Sequence, residues 1–191
     1  MNVYDFDRTI CRFDSSSRFF LYCLWRRPAR VLRVLPAAFG AFLRYRRGGV
    51  SAKCLKERLF AFLRDEDETN ALVRDFWRRS RKGLQGWYLR QRREDDLIIS
   101  ASPEFLLRPI ARELGFRLLG TRMDAASGRI DGENCHDTEK LVRLRAAYPE
   151  AAVDDFYSDS LSDAPLAELA RRAFLVSGSR LRRWPESENQ D

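Results

Sequence analysis

Two aspartates two residues apart, Asp5 and Asp7, follow the apolar start Asn2-Val3-Tyr4 in the run Asp5-Phe6-Asp7-Arg8-Thr9. On an extended chain, side chains at i and i+2 point to the same side. Like charges held that close repel, so the pair costs stability unless a cation or a shared proton relieves it. The pattern points to a hard-metal site or an acid/base pair. The plainer alternative is a strand running into a polar turn, with Asp7 as a cap. Further along, Ser100 closes the apolar run Leu97-Ile98-Ile99, Lys140 lies in a charged helical stretch, and Asp159 and Asp163 flank Ser160-Leu161-Ser162. Taken singly, Ser100 reads as a helix cap, Lys140 as a solvated helix residue and Asp163 as an N-cap. His136 is the only histidine. Ser-His-Asp chemistry would have to pass through it, and its polar surroundings, Glu133 to Asp137, read as an exposed loop. Cys11, Cys23, Cys54 and Cys135 are widely spaced, with no C-x-x-C. They read as reduced thiols of a cytosolic protein rather than a zinc cluster.

The elements that must position these residues alternate. Residues 2–6 read as a buried strand. Helical patterning takes over after Asp14 and stops at Arg26-Arg27-Pro28. Further helices are predicted over 31–47, over 52–63 behind an N-cap at Ser51, over 70–81 after an acidic connection (65–69), and over 86–93. Then the pattern changes. Residues 96–100 fit a buried parallel strand. Ser102-Pro103-Glu104 opens a helix that Gly115 ends, and 116–120 form another strand. Residues 121–133 read as a hairpin turning at Ser127-Gly128, and a helix follows from Asp137 or Thr138 to Tyr148. A strand ends at Ser158, a polar loop covers 159–163, a helix 164–172, and 173–176 form the last strand, before a polar, frayed tail from Glu186. Strands alternating with helices imply an α/β fold with a mainly parallel sheet. The helices between the first two strands are too many for a simple crossover and read as an inserted subdomain. In open parallel sheets ligands bind at the carboxyl ends of the strands. Asp5, Asp7, Ser100 and Asp159 would all meet at that edge.

The chain has 191 residues, 45% hydrophobic and 33% charged, with a net charge of +7, which fits an ordinary globular protein rather than a disordered one. The positive charge is local. Residues 15–64 carry twelve Arg or Lys against the single acid Glu57, and residues 78–93 carry seven and no acid. Such a block attracts phosphorylated substrates or an anionic membrane surface, or is simply a solvated face. No recognised nucleic-acid motif accompanies it. The start leaves no room for a signal peptide. The longest uncharged apolar run, 34–43, contains Pro36 and Gly40 and is too short for the roughly twenty residues a membrane span needs.

Read together, Asp5-Phe6-Asp7-Arg8-Thr9, Ile98-Ile99-Ser100-Ala101-Ser102, Lys140 and Tyr157-Ser158-Asp159-Ser160-Leu161-Ser162-Asp163 resemble, in order, the four motifs of the haloacid dehalogenase superfamily. The resemblance covers nearly the whole chain. It is greatest to the phosphoserine phosphatase-like branch, subfamily IB. The stretch Ser158 to Leu166 and Phe174-Leu175-Val176 are also similar to bacterial phosphatidylglycerophosphatases of that branch. The resemblance implies a Rossmann-like parallel sheet flanked by helices, with a C1-type helical cap. Residues 1–14 and 94–191 would form the core and 15–93 the cap. It implies a Mg²⁺-dependent phosphatase of the cytoplasm acting on a small phosphorylated molecule. Asp5 would be the nucleophile, Asp7 the general acid and base, and Lys140 the neutralising cation. Ser100, Ala101 and Lys140 would bind phosphate. Asp5, Asp7 through its carbonyl, and Asp159 would hold the metal, with Thr9 and Asp163 in support. The alternatives left open are a lipid phosphatase at an anionic membrane, acting on a phosphatidylglycerophosphate-like substrate, and a non-catalytic anion- or membrane-binding protein of the same fold. Three departures stand out: Arg8 where many members have Gly, Ser162 for Asn, and Ser100-Ala101-Ser102 for Ser-Gly-Gly. The last two weaken the case for phosphoserine as substrate.

Overall fold

The computed structural model describes residues 1–185. The polar tail read from Glu186 lies outside the described residues. A six-stranded sheet has the order β3-β2-β1-β4-β5-β6, with β1 Val3–Tyr4, β2 Leu97–Pro103, β3 Arg117–Thr121, β4 Asp155–Ser158, β5 Arg172–Ser177 and β6 Arg180–Arg183. All neighbours pair in parallel except β5 and β6. Chain order reverses direction at β1, which lies between β2 and β4. That is the switch point at which a parallel sheet opens a crevice beyond its strand ends.

The alternation of β1 sets the two faces. Val3 points into a cluster with Leu97, Ile99, Phe156 and Leu166. Tyr4 points to the other face, where it stacks on Tyr157 at 4.7 Å, and Tyr157 stacks on Phe174 at 4.9 Å. This aromatic ladder ties β1, β4 and β5 together, each such pair adding about 0.5–1.5 kcal/mol beyond its buried area. The first face is covered by α7 Thr138–Ala147 and α8 Ala164–Leu169, and the second by α6 Glu104–Leu114 and the helices between β1 and β2.

Those helices are α1 Ser15–Arg26, α2 Pro28–Arg46, α3 Ala52–Phe60, α4 Glu66–Ser80 and α5 Gly86–Gln91. Asp14 caps α1 by accepting from Ser17 N at 2.7 Å, and Ser51 caps α3 as the sequence predicts. Their aromatic residues divide between three places. Phe19 is buried against Phe60, Phe76 and Phe105 in one cluster continuous with the sheet face. Phe20 packs edge-on to Phe62, and Trp25 is 68% exposed beside Arg26 and Arg79. The loop 121–134 docks on α3. There Gly128, at φ +72°, comes so close to Phe60 that an added Cβ would lie 2.4 Å from its carbonyl oxygen. Among the described residues no helix is long and apolar enough to cross a membrane.

Three boundaries correct the sequence reading. The segment 65–69 is not a connection: α4 begins at Glu66, with Asp65 accepting from Glu68 N at 2.7 Å. Acids favour the positive end of a helix dipole, so Glu66, Asp67 and Glu68 start the helix rather than precede it. The helix expected over 164–172 stops at Leu169, and Arg172 joins β5 instead. Nor is 173–176 the last strand. Gly178, at φ +61°, turns the chain into β6, an edge strand whose four residues are all exposed. Its Arg-Leu-Arg-Arg sequence lacks an apolar face to announce it, and its charges discourage edge-to-edge pairing with other chains. The hairpin at 121–133 is minimal, one antiparallel bridge between Met123 and Ile130.

Candidate active site

Asp5 directly follows β1, and its amide continues the sheet by donating to Tyr157 O at 2.8 Å. Its side chain is pinned at both oxygens. Oδ1 accepts from Lys140 Nζ at 2.6 Å, and Oδ2 accepts from Thr9 Oγ1 at 3.3 Å. Thr9 Oγ1 in turn accepts from Asp159 N at 3.0 Å, tying the turn after β1 to the loop after β4. Lys140, buried in the first turn of α7, also donates to Asp163 Oδ2 at 2.7 Å. Asp163 Oδ2 is held as well by Ser158 Oγ at 2.6 Å. Lys140 therefore bridges two buried carboxylates brought from opposite ends of the sequence.

Asp7 is held separately. Its Oδ1 accepts from Ser15 N at 2.6 Å, at the start of α1, and its Oδ2 accepts from Ser102 Oγ at 2.5 Å, at the end of β2. Ser102 Oγ is itself within hydrogen-bonding reach of Ser15 Oγ and Ser16 Oγ. Two carboxylates two residues apart thus have unrelated partners: Asp5 faces an ammonium, Asp7 faces neutral donors.

Electrostatics follow from burial. Desolvation pushes the Asp5 carboxyl up to about 7, against the pull of Lys140 and with Asp163 and Asp7 adding to the rise. Asp7 is pushed up to about 6, chiefly by burial and then by Asp14. Asp159 is also raised by burial, offset by Arg8 and Lys140. For Lys140 burial alone would favour the neutral amine, but two adjoining carboxylates hold the ammonium charge firmly. The carboxylates outnumber their neutralising charge. The cavity of about 230 Å³ at this sheet edge is lined by five, Asp5, Asp7, Asp14, Asp159 and Asp163, and by two cationic side chains, Arg8 and Lys140.

Oxygen donors in excess of cationic side chains fit a hard divalent ion such as Mg²⁺, which takes one or two carboxylates and keeps waters. Among the described residues no three acidic, histidine or cysteine side chains are gathered into a ready ligand set. Two carboxylates and one main-chain carbonyl would not need one, and the side chain of Asp7 is turned to Ser15 and Ser102.

The expected residues are not all placed alike. Asp5, Asp7, Lys140, Asp159 and Asp163 line the cavity together with Ala101. Thr9 is buried behind Asp5. Ser100 is fully buried and does not line the cavity; its Oγ accepts from Ser102 N at 3.1 Å, which leaves its own proton to donate. His136 is exposed, as its polar surroundings predict, and reaches the cavity rim. Arg8 has φ +57° at the same rim. A non-glycine residue held there costs on the order of 1 kcal/mol, strain of the sort found at functional sites.

Three residues of the site were not singled out from sequence, Asp14, Ser15 and Lys56, and Ser102 was noted only as part of the second motif, without a role. Lys56 Nζ, on α3, donates to Ala101 O at 2.6 Å and to Asn134 Oδ1 at 2.7 Å. The signal for it was present, since Lys56 interrupts the apolar stripe Ala52, Leu55, Leu59, Phe60 at helical spacing. Nothing comparable marks Ser15, and the place of Ser102 in the second motif does not reveal that its partner is Asp7, 95 residues away.

The haloacid dehalogenase-like hydrolase family matches residues 3–168. Protein CicA of Caulobacter vibrioides is 29% identical over 88% of this chain and 82% of its own. A protein of Mycobacterium tuberculosis named probable phosphatase Rv3661 is 32% identical over 48% of this chain, which is 37% of its own length. The crystal structure of a protein of unknown function from Bordetella pertussis superposes with a TM-score of 0.73 at 26% identity, covering 91% of this chain and 87% of that one.

Proposed function

The chain belongs to the haloacid dehalogenase-like hydrolase family, and from that premise we propose that it is a Mg²⁺-dependent phosphomonoesterase that works through an aspartyl-phosphate on Asp5. The observation that carries the reading is the separate tethering of the two aspartates, Asp5 to Lys140 and Asp7 to Ser15 and Ser102, at the edge of one carboxylate-rich cavity. The Mycobacterium relative named a probable phosphatase supports it.

Phosphate monoesters are anionic and repel nucleophiles, so catalysis rests on positioning and neutralisation. Asp5 is the nucleophile: its carboxylate oxygen forms a bond to phosphorus as the bond from phosphorus to the ester oxygen breaks. Asp7 gives its proton to that departing oxygen. In the second half Asp7 takes a proton from the water that attacks the aspartyl-phosphate, releasing inorganic phosphate and restoring Asp5. Lys140 neutralises Asp5 and the transferring oxygens, and Asp163 keeps it aimed. The Ala101 backbone, at the cavity wall, binds a phosphate oxygen, and Ser100, buried just behind it with its hydroxyl proton free, would reach one only through a local shift at the end of β2. Asp5, the carbonyl of Asp7 and Asp159 would hold Mg²⁺, which supplies charge neutralisation at the phosphoryl oxygens. Thr9 fixes Asp5 against the β4 loop. In this reading residues 1–14 and 94–185 form the catalytic core and 15–93 the cap, while 186–191, expected to belong to the core, lie outside the described residues.

Hydrolysis of p-nitrophenyl phosphate by the purified protein tests it. Turnover is expected with Mg²⁺ and falls at least about 100-fold once the metal is chelated. Turnover indifferent to chelation rules the reading out.

A further inference from the structure

Next to the acid cavity lies a second of about 460 Å³, within the roughly 300–1,000 Å³ of small-molecule sites. Both are lined by Asp7, Asp14, Ala101 and His136. A group esterified to a phosphoryl at Asp5 therefore has this space beside it, on the side of the general acid. The two cavities differ in chemistry. The acid cavity is walled by charge. In the second, polar groups come from the sheet loops, from Ser16 and Ser17 at the start of α1, and from Tyr45 and Lys56, but most of the wall is apolar, with Phe20 and Leu21 from α1 and Leu55 and Leu59 from α3. Leu55 and Leu59 also line an apolar groove of about 480 Å³ between α2 and α3, so apolar surface continues outward from the site.

We infer that this second cavity is the leaving-group subsite, and that the substrate is a phosphomonoester of an alcohol bearing an apolar chain. The inference rests on the phosphatase reading for the orientation of its ligand, phosphate at Asp5 and chain towards α3. A polyol or amino-acid leaving group would bury hydroxyl or ammonium groups against Phe20, Leu55 and Leu59. Each polar group buried without a partner weakens binding about 5- to 150-fold. An apolar chain instead gains from every methylene removed from water. Lys56, held by Ala101 O and Asn134 Oδ1 where the cavities adjoin, leaves its third proton for an oxygen near the ester linkage. The same chemistry is offered by a bilayer lipid and by a dispersed amphiphile.

Calorimetric titration of the Mg²⁺-loaded protein with n-alkylphosphonates, methyl to octyl, tests this. Their P–C bond is not a phosphatase substrate, so the result does not depend on turnover. Affinity is expected to rise about three- to fourfold per methylene over the first several carbons. The rise should flatten in Leu59→Gln and in the milder Leu55→Ala, which guards against misfolding of the first. Affinity that is independent of chain length, absence of binding, or a rise undiminished in both variants overturns the inference. Failure to hydrolyse p-nitrophenyl phosphate would overturn the phosphatase reading alone and leave the length dependence interpretable. Displacement of octylphosphonate by phosphatidic acid vesicles assigns the site to bilayer lipid; displacement by monomeric amphiphiles alone assigns it to a dispersed ester.

Discussion

Asp5→Asn is expected to abolish turnover of p-nitrophenyl phosphate, lowering kcat more than about 10⁴-fold. A neutral carboxamide is a far poorer nucleophile towards phosphorus than a carboxylate, and no other carboxylate shares its position. Asp7 is tied to Ser15 and Ser102, and Asp163 sits on the far side of Lys140. The loss is one of chemistry rather than folding. Asn keeps the shape of Asp, its oxygen can still accept from Lys140, and Lys140 retains Asp163. Removing one charge from a cluster in which five carboxylates face two cationic side chains relieves repulsion. The thermal midpoint, read by circular dichroism, is accordingly expected to stay level or rise. Steady-state kinetics that match the wild type would place the nucleophile elsewhere.

Lys140→Met is expected to act on activity and folding together. The ammonium pairs with Asp5 at 2.6 Å and Asp163 at 2.7 Å, all three groups being buried. Methionine fills much of the volume but leaves two carboxylates uncompensated, which costs about 3–5 kcal/mol when one partner of a buried ion pair is removed. For a chain of this length that lowers the thermal midpoint by roughly 6–20 °C. Mg²⁺ is expected to recover part of that loss, because the ion supplies charge to the same carboxylates. Transition-state neutralisation is lost as well, lowering kcat about 10²–10³-fold. Paired melts with and without Mg²⁺ check the first effect and initial rates the second. An unchanged midpoint in both melts would mean that the bridge contributes nothing to folding.

The site was legible where it is local in sequence or set by topology. Asp5 and Asp7 announce themselves by spacing at a strand end, and parallel pairing with β1 as the switch strand brings Asp159 and Asp163 to the same edge. Lys140 had no local signal, because a lysine in a charged helix looks solvated. Only its place in the ordered set of motifs marked it, and the structure buries it. The roles of Ser102 and Ser15 were hidden for a different reason: each matters through one hydrogen bond to Asp7, from 95 and 8 residues away. Strand β6 was missed because an exposed edge strand needs no apolar alternation, only a partner and a turn at Gly178. Lys56 was overlooked although its pattern was visible, since a cation on an apolar stripe belongs either at a partner or at a site.

The most direct test is the mass of the protein itself during turnover. Wild-type protein mixed with p-nitrophenyl phosphate and Mg²⁺, acid-quenched within milliseconds and digested, is expected to carry one phosphoryl group on the peptide containing Asp5. The same peptide from Asp5→Asn should carry none. Turnover without any phosphorylated peptide, or with the phosphoryl group on a residue other than Asp5, would contradict the account.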